Sequence, residues 1–255
     1  MALPWADQPF SLIPTPTAEQ TKGYDKVVIA VAREMCLAHN AMIRNLNAIY
    51  LQCEQLTVPK DQADFIIFCQ VAIEVIHTHH QMEEANFFPQ IAEYTGEPNI
   101  MEKNIEQHRA FDAGLTVFEG YVYKLTPETY DGAEVKRLVD GFAEVLVTHL
   151  NDEIQTLLAL QKYGGEKLGP IFKTFNDNIM KEVKDKHRLL PCALGCIDRT
   201  FEDGKNADFP PFPFFVPYLV KYVFARRYSG SWRFTPCTMF GQPKPLPFTK
   251  EALAV

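Results

Sequence analysis

Two copies of the pattern His-x-x-x-Glu, 70 residues apart, constrain this chain more than any other feature of its sequence. His79 and Glu83 form the first copy, and His149 and Glu153 form the second. Four residues are about one helical turn, so each histidine would lie on the same helix face as its glutamate. Both copies are flanked by apolar residues at helical spacing. Burying ionisable groups on such a face costs several kcal/mol unless a partner compensates, and a bound cation is the usual compensation.

Two further histidines extend this pattern to other helical stretches. His39 and His108 each lie mid-way along an apolar helical pattern, so four of the seven histidines fall one per helix. A single histidine on such a helix is more often partly exposed, or a satisfied polar group of the core, than a metal ligand. One His/Glu pair alone could be an ordinary helical ion pair. The repetition on separate helices favours a shared metal site. His80 and Glu84 have the same spacing about 100° round the helix, so only one pair is expected to point fully inward.

The apolar periodicity predicts four long helices joined by short links. They are expected at residues 24–53, 59–94, 98–125 and 133–163. Pro59 suits a first helical turn, and the Gly164-Gly165 pair is typical of a helix end. An all-α, up-down-up-down four-helix bundle is the economical arrangement of such helices.

The rest of the chain is predicted to form an arm and an extension. Residues 1–23 are rich in proline and are expected to be an extended N-terminal arm, before a bundle at 24–165. Residues 166–255 are expected to pack on the bundle, with an additional helix at 171–190 and a Pro/Phe-rich wrap after it. Half of the 18 prolines and nearly half of the 19 phenylalanines follow residue 190. The extension is either a structural cover or a substrate wall near the metals.

Composition excludes several classes of function. The net charge of −7, with no basic run, argues against a nucleic-acid partner. No apolar stretch reaches the roughly 18 residues of a membrane span. Residues 1–17 have neither a basic n-region nor a long apolar h-region, so no secretory signal is expected there. Cys192, Cys196 and Cys237 could hold a structural zinc, but free thiols in a reducing cytosol are the favoured interpretation of the six cysteines. A cytoplasmic protein is therefore expected.

The chain resembles a known family in four places. His39, the block HHQMEEANFFP at 79–89, His108 and the block HLNDE at 149–153 are together similar to the hemerythrin-like, or HHE cation-binding, family. The resemblance covers about residues 25–165. It implies a four-helix bundle with a non-haem di-iron centre that reacts with dioxygen or related small molecules. The C-terminal extension of this chain, residues 166–255, resembles the extensions of fungal members of the family.

The resemblance also implies a set of ligands. By position, His39 and His79 would bind one iron, and His108 and His149 the other. Glu83 and Glu153 would bridge the two metals. Imidazole and carboxylate ligands also suit manganese and zinc, which remain alternatives to iron.

One departure from the oxygen carriers concerns the third helix. Those proteins add a second histidine one turn from the first, whereas Asn104 precedes His108 by one turn and Asp112 follows it. The second metal is expected to take a carboxylate from Asp112, a water, or no further ligand. His80, Glu84, Asp112 and Asn104 are the less favoured ligand candidates. An open coordination sphere suits a metal that must bind and turn over a substrate.

Three functions remain open at the level of sequence. The favoured one is a di-iron protein that binds or activates dioxygen or peroxide, as an oxidoreductase acting on a small apolar substrate. The alternatives are a non-catalytic iron or oxygen sensor or store, and a helical interaction module with incidental histidines. No Rossmann fingerprint, P-loop or nucleophile elbow supports nucleotide binding or serine chemistry.

Overall fold

Helices carry the regular structure of this chain, as predicted. The computed structural model describes residues 5–254, and the only other regular feature within them is an isolated antiparallel bridge between Cys237 and Pro243. The helices in chain order are α1 (Lys26–Gln52), α2 (Pro59–Met82), α3 (Phe88–Thr95), α4 (Glu102–Val122), α5 (Gly132–Asp140), α6 (Ala143–Ala159), α7 (Leu168–Glu182), α8 (Leu189–Leu194) and α9 (Val216–Tyr222). No helix in the described part of the chain combines the length and the apolar character needed to cross a membrane.

Four long helices form the core of the molecule. α1 packs against α2, α2 against α4, α4 against α6, and α6 back against α1. A short connection, residues 53–58, joins α1 to α2, whereas the connections from α2 to α4 and from α4 to α6 include the short helices α3 and α5. Asp25 begins α1 by accepting a hydrogen bond from the backbone N–H of Val27. The predicted all-α bundle is confirmed.

The second predicted helix, at 59–94, is not a continuous α-helix. A π-helical turn at Glu83–Phe87 separates α2 from α3. Pro89 lies in the first turn of α3, where it lacks an N–H and its ring would clash with the carbonyl four residues earlier in an α-helix. The wider π turn accommodates the proline and rotates the residues before it relative to those after it.

The fourth and fifth predicted helices are also interrupted. The expected helix at 133–163 is divided into α5 and α6 at Gly141 and Phe142, because the Phe142 ring turns inward onto Phe118 and its backbone leaves the helical region. The helix expected at 171–190 is α7, which ends at Glu182, and α8 begins separately at Leu189. Apolar periodicity continued across both breaks, so it did not reveal them.

The N-terminal arm and the C-terminal extension cover the outer face of α1. Asn40 and Asn47 pair through their amides with the backbone of Ile13 and Phe10 in the arm. Residues 1–4 of the predicted arm lie outside the described residues. α7 packs on α1, α2 and α3, and α8 packs on α2. The extension thus lies directly beside the helices that carry the first His-x-x-x-Glu pattern.

Candidate metal centre

Seven buried ionisable side chains meet at mid-height in the bundle. They form two groups that share Glu83, and within each group the ligand-type atoms lie within 4.8 Å of one another. The first group is His39, His79, Glu83 and Glu153; the second is His80, Glu83, His108 and His149. All of these side chains are buried, and the two glutamates are fully enclosed.

The first group joins α1, α2 and α6. Nε2 of His39 lies 3.2 Å from Nε2 of His79. Oε1 of Glu83 is 2.8 Å from the same atom of His79, and Oε2 of Glu153 is 3.4 Å from Nε2 of His39. Two imidazole nitrogens and two carboxylates therefore surround one point.

The second group joins α2, α4 and α6. Nε2 of His108 lies 3.0 Å from Nε2 of His149. The second oxygen of Glu83 is 3.5 Å from Nε2 of His108, and Glu153 comes within 3.9 Å of Nε2 of His149. Each glutamate thus lies between the two groups, which is the position that a bridging carboxylate needs.

Hydrogen bonds to the other ring nitrogen set the orientation of four histidines. The Nδ1 atom of each faces an acceptor at 2.7–3.4 Å. The pairs are His39 with the Leu150 carbonyl, His80 with the Ile76 carbonyl, His108 with Glu84, and His149 with the Gln107 side-chain oxygen. A carbonyl oxygen only accepts, so Nδ1 carries the proton and Nε2 presents a lone pair to the core.

This arrangement fits a bound cation. The bare Nε2 lone pairs of His108 and His149, only 3.0 Å apart, repel one another unless an electrophile lies between them. The carboxylate oxygens of Glu83 and Glu153 and the Nε2 atom of His80 also have no hydrogen-bond donor within the described chain. Cations placed among these atoms would satisfy all of them at once.

Burial sets the charge state of the groups in the absence of a cation. It lowers the pKa of His79 to about 3, and it lowers the pKa of His39 and His80 together with repulsion from neighbouring imidazoles. Burial likewise raises the pKa of Glu83 and Glu153 well above the usual range of a carboxyl. The histidines are therefore neutral, which is the form that binds a metal.

Comparison with known proteins agrees with this donor set. The model of the hemerythrin HHE cation binding domain matches residues 31–160, about half of the 255-residue chain. The chain belongs to the hemerythrin HHE family. The resemblance found in the sequence is confirmed, and the two His/Glu groups lie within the matched cation-binding domain.

One relative aligns far beyond the hemerythrin domain. The "dimeric xanthone biosynthesis cluster protein R11" of Cryptosporiopsis sp. (strain 8999) is 40% identical over 245 residues, covering 96% of this chain and 93% of that protein. The similarity therefore includes the C-terminal extension. No solved structure gives a significant match.

The hemerythrin domain brings together all six residues that the sequence favoured and adds His80. Only one of the two adjacent His/Glu pairs is fully inward, as expected, but the other pair is split. His80 points into the core, whereas the Glu84 side chain is half exposed and accepts the Nδ1 proton of His108 instead. His80 thus provides the third imidazole of the group that contains His108.

The two candidates on α4 differ in position. Asp112 is exposed and belongs to neither of the two groups of His and Glu side chains described above, which we call the metal-type groups. Asn104 is fully buried, and neither atom of its amide has a hydrogen-bond partner within residues 5–254. Gln107, which the sequence did not single out, accepts from His149 and donates to Asp152. Gln107 is the residue before His108 and belongs to no repeated spacing in the sequence, so periodicity gives no signal of this role.

The cysteines lie away from the hemerythrin centre. No group of metal-ligating side chains in the described chain contains a cysteine, so the structure gives the zinc alternative at Cys192, Cys196 and Cys237 no support. The thiols of Cys192 and Cys196 both donate to the side-chain oxygen of Asn45. All six cysteines are buried and free.

An apolar cavity of about 380 Å³ lies beside the centre. Its walls come from α1 and α2 of the hemerythrin domain and from α7, α8 and residues 209–212 of the extension. His79 of the first metal-type group lines this cavity. Phe175 on α7 packs edge-on against the His79 ring at 5.7 Å. The sequence left open whether the extension is a structural cover or a substrate wall. In the structure the extension forms most of the cavity lining.

Proposed function

We propose that this protein is a di-iron oxidoreductase that uses dioxygen or peroxide to oxidise an apolar molecule held in the cavity. One observation carries the proposal: His79 belongs to a metal-type group and also forms part of the cavity wall. A molecule in the cavity would therefore lie against the edge of the metal centre. Neither a store nor a structural metal site needs such a pocket.

Two sets of residues would hold the metals. One metal would take His39 and His79, the other would take His80, His108 and His149, and Glu83 and Glu153 would be shared between them. Imidazole and carboxylate donors in this ratio suit iron, with manganese and zinc as alternatives. When bound, a pair of iron ions supplies the electrons that reduce dioxygen or peroxide.

The chain's own residues prepare the site for that chemistry. The carbonyls of Leu150 and Ile76 hold two imidazoles in one orientation, so little reorganisation accompanies binding. Full burial of Glu83 and Glu153 excludes water from the space between the groups. Phe175 packs edge-on against the ring of His79, and both side chains line the cavity.

The relative supports a biosynthetic role over a sensor. Its printed name places it in a dimeric xanthone biosynthesis cluster, and it matches this chain along the extension as well as the hemerythrin domain. The same cavity-forming segments are therefore present in a protein named for the biosynthesis of an aromatic product. Oxidation of an aromatic molecule is consistent with the apolar cavity and with the name of the relative.

Iron binding is tested first, by elemental analysis of protein purified from iron-replete medium. Wild type is expected to hold two irons per chain, and His149→Ala fewer. His187→Ala is the matched control, because His187 donates to the Phe224 carbonyl far from either group and its loss leaves iron content unchanged. Equal iron content in all three proteins would contradict the assigned ligands.

Oxygen chemistry is tested on the iron-loaded protein with an oxygen electrode. Reduced protein is expected to consume dioxygen, and an apolar aromatic compound in the cavity is expected to increase turnover. Ala38→Phe narrows the cavity from a residue outside both metal groups, so it should lower stimulated turnover and leave iron content intact. Iron binding without consumption of dioxygen or peroxide would favour the sensor or storage alternative.

A further inference from the structure

Asn45 places a buried polar group in the wall of the otherwise apolar cavity. Its side chain is almost completely enclosed and lines the cavity from α1. The other uncharged polar groups in the lining lie nearer solvent: Thr78 is half-buried and Asn176 is exposed. A ligand deep in the cavity therefore meets two buried polar side chains, Asn45 and His79.

The two thiols of α8 and its C-terminal end fix which way the Asn45 amide points. Cys196 and Cys192 approach its Oδ1 atom at 3.0 and 3.4 Å. Burial raises the pKa of the Cys196 thiol far above its usual value, so the sulfur keeps a proton to donate. Oδ1 is thus the acceptor for both thiols, and Nδ2 turns away from them.

The Nδ2 donor of Asn45 has no acceptor among the described residues. The hydrogen bonds of this side chain are the two that its oxygen accepts. An oxygen atom of a ligand in the cavity can therefore accept a hydrogen bond from this N–H group. The donor is selective, because a hydrocarbon cannot satisfy it.

The rest of the lining selects the body of the ligand. Phe172, Phe175, Phe209 and Phe212 supply aromatic faces, and Met35 and Met42 supply adaptable thioethers. No lysine or arginine occurs in the lining, whereas Glu34 and Asp177 do. A carboxylate ligand would meet only negative charge, so the cavity favours a neutral molecule.

Position along α1 sets the length of that molecule. Asn45 follows His39 by six residues, which is about 9 Å along the helix axis. His39 touches His79, so the donor lies about that far from the metal-type group. A cavity of about 380 Å³ is at the small end of ligand pockets and suits about two or three fused rings.

We propose that the cavity binds a neutral, planar, fused-ring aromatic molecule through one carbonyl or hydroxyl oxygen that accepts a hydrogen bond from Nδ2 of Asn45. The opposite edge of the ring system then faces His79. This names the substrate class of the proposed oxidoreductase. For turnover it rests on that function, but binding itself requires no oxidant.

A matched pair of probes tests the proposal on the whole, iron-loaded protein. Xanthone and xanthene share one tricyclic frame with a ring oxygen, and xanthone has a carbonyl group where xanthene has a methylene group. Calorimetric titration of wild type is expected to show xanthone bound about two- to tenfold more tightly, the range of one net hydrogen bond. Asn45→Leu, of similar volume, should remove this preference and leave xanthene affinity unchanged.

Two further variants separate the outcomes. Asn45→Asp keeps an oxygen for the thiols and, measured at a pH where its carboxyl is ionised, has no hydrogen to donate, so it should also lose the preference for xanthone. Met42→Leu changes the lining without changing a polar group and should retain it. Equal xanthone and xanthene affinities in wild type, or an equal loss of both in Asn45→Leu, would overturn the proposal. Dioxygen consumption measured separately shows whether the oxidoreductase function stands or fails on its own.

Discussion

Backbone carbonyls decide which nitrogen two of the histidines offer to a metal. The Leu150 carbonyl takes the Nδ1 proton of His39, and the Ile76 carbonyl takes that of His80. Helix backbone moves little, so these tautomers are fixed by the fold rather than by the metal. Each Nε2 atom is therefore directed at the centre before a cation arrives.

Replacement of a bridging carboxylate should affect metal binding and stability in opposite directions. Glu153→Gln removes a fully buried acid, so the protein should lose metal. Without metal the variant should be about 1–3 kcal/mol more stable, since a buried amide avoids the cost of burying a carboxyl that is ionised in the unfolded chain. Elemental analysis and urea denaturation of the metal-free proteins measure the two effects.

Glu144→Gln on the same helix is the control for this prediction. Glu144 is exposed, so neither metal content nor the free energy of unfolding should change appreciably. A metal-free Glu153→Gln protein that is less stable than wild type would show that the carboxyl has a favourable partner in the fold.

Buried thiols predict a loss of stability in alkaline solution. Burial raises the pKa of Cys36, Cys53 and Cys237 to about 12, above the value near 8.5 of an unfolded cysteine. A raised folded pKa means that the stabilisation is present below pH about 8.5 and is lost as pH rises towards 12. The free energy of unfolding in urea should therefore fall from pH 9 to pH 10.5, and Cys53→Ala should reduce that slope.

The test of this prediction is how steeply the free energy of unfolding falls with pH in wild type and in Cys53→Ala. Cys53→Ala removes one titrating thiol, so its curve should be flatter than that of wild type whatever the change in stability at pH 7. Identical slopes would show that the Cys53 thiol ionises as readily in the folded protein as in the unfolded chain.

At the scale of elements, α2 contributes to both metal groups through two adjacent residues. Successive residues on a helix point about 100° apart. His79 thus faces His39 on α1, while His80 lies beside the rings of His108 on α4 and His149 on α6. Because α2 lies between α1 and α4, both directions are inward.

The same geometry explains what the sequence could and could not predict about the site. Four-residue spacing identified His79 with Glu83 and His149 with Glu153, since each pair needs only one regular helical turn. The role of His80 depends on which helices lie on either side of α2, and spacing within one helix carries no such information. The π turn at Glu83–Phe87 was likewise hidden, because the apolar pattern continues through it.

Phe175 on α7 should matter for both stability and protection of the centre. It is buried, stacks on Phe87 at 4.9 Å and packs against His79. Phe175→Ala should cost about 3–5 kcal/mol of unfolding free energy and should accelerate removal of metal by a chelator. Phe214→Ala is the control, because that ring is 86% exposed and its loss should change stability by less than about 0.5 kcal/mol.

Two glycines predict opposite effects of the same substitution. A Cβ atom at Gly132, at the start of α5, would lie 2.1 Å from the Cys53 carbonyl oxygen, so Gly132→Ala should destabilise the protein by more than about 1 kcal/mol. Gly120 in α4 has no atom within 4 Å of such a Cβ, and Gly120→Ala should stabilise the protein by about 0.5–1 kcal/mol. Thermal unfolding of both variants measures the difference, and equal shifts would contradict the close approach of α5 to the end of α1.

At the scale of the whole molecule, the metal-type groups connect all four helices of the bundle. α1, α2, α4 and α6 each contribute at least one side chain. Bound metal should therefore stabilise the entire fold, by about 2.7 kcal/mol when free metal is 100 times its dissociation constant. Chelation should lower the melting temperature of wild type, and should have no such effect on metal-free Glu153→Gln.

The bundle could be predicted from periodicity because each helix has its own apolar face. The way in which the arm and extension pack could not, since it depends on contacts between residues far apart in sequence. Arg44 of α1 is an example: it is buried between Asp7 of the arm and Asp198 of the extension, with rings of Trp5 and Phe201 against its guanidinium. No local pattern distinguishes this arginine from a surface residue.

Most of the cavity wall lies outside the stretch of chain that would hold the metals. Substitutions during evolution can therefore change the cavity wall without changing the residues that would hold the metals. Substitutions of cavity residues such as Leu190 or Phe212 would change which molecule binds in the cavity and would leave the histidines and glutamates of the metal centre unchanged. Related proteins that keep identical histidines and glutamates are accordingly expected to diverge first in what they oxidise, and a chimaera that exchanges residues 166–255 should transfer that preference.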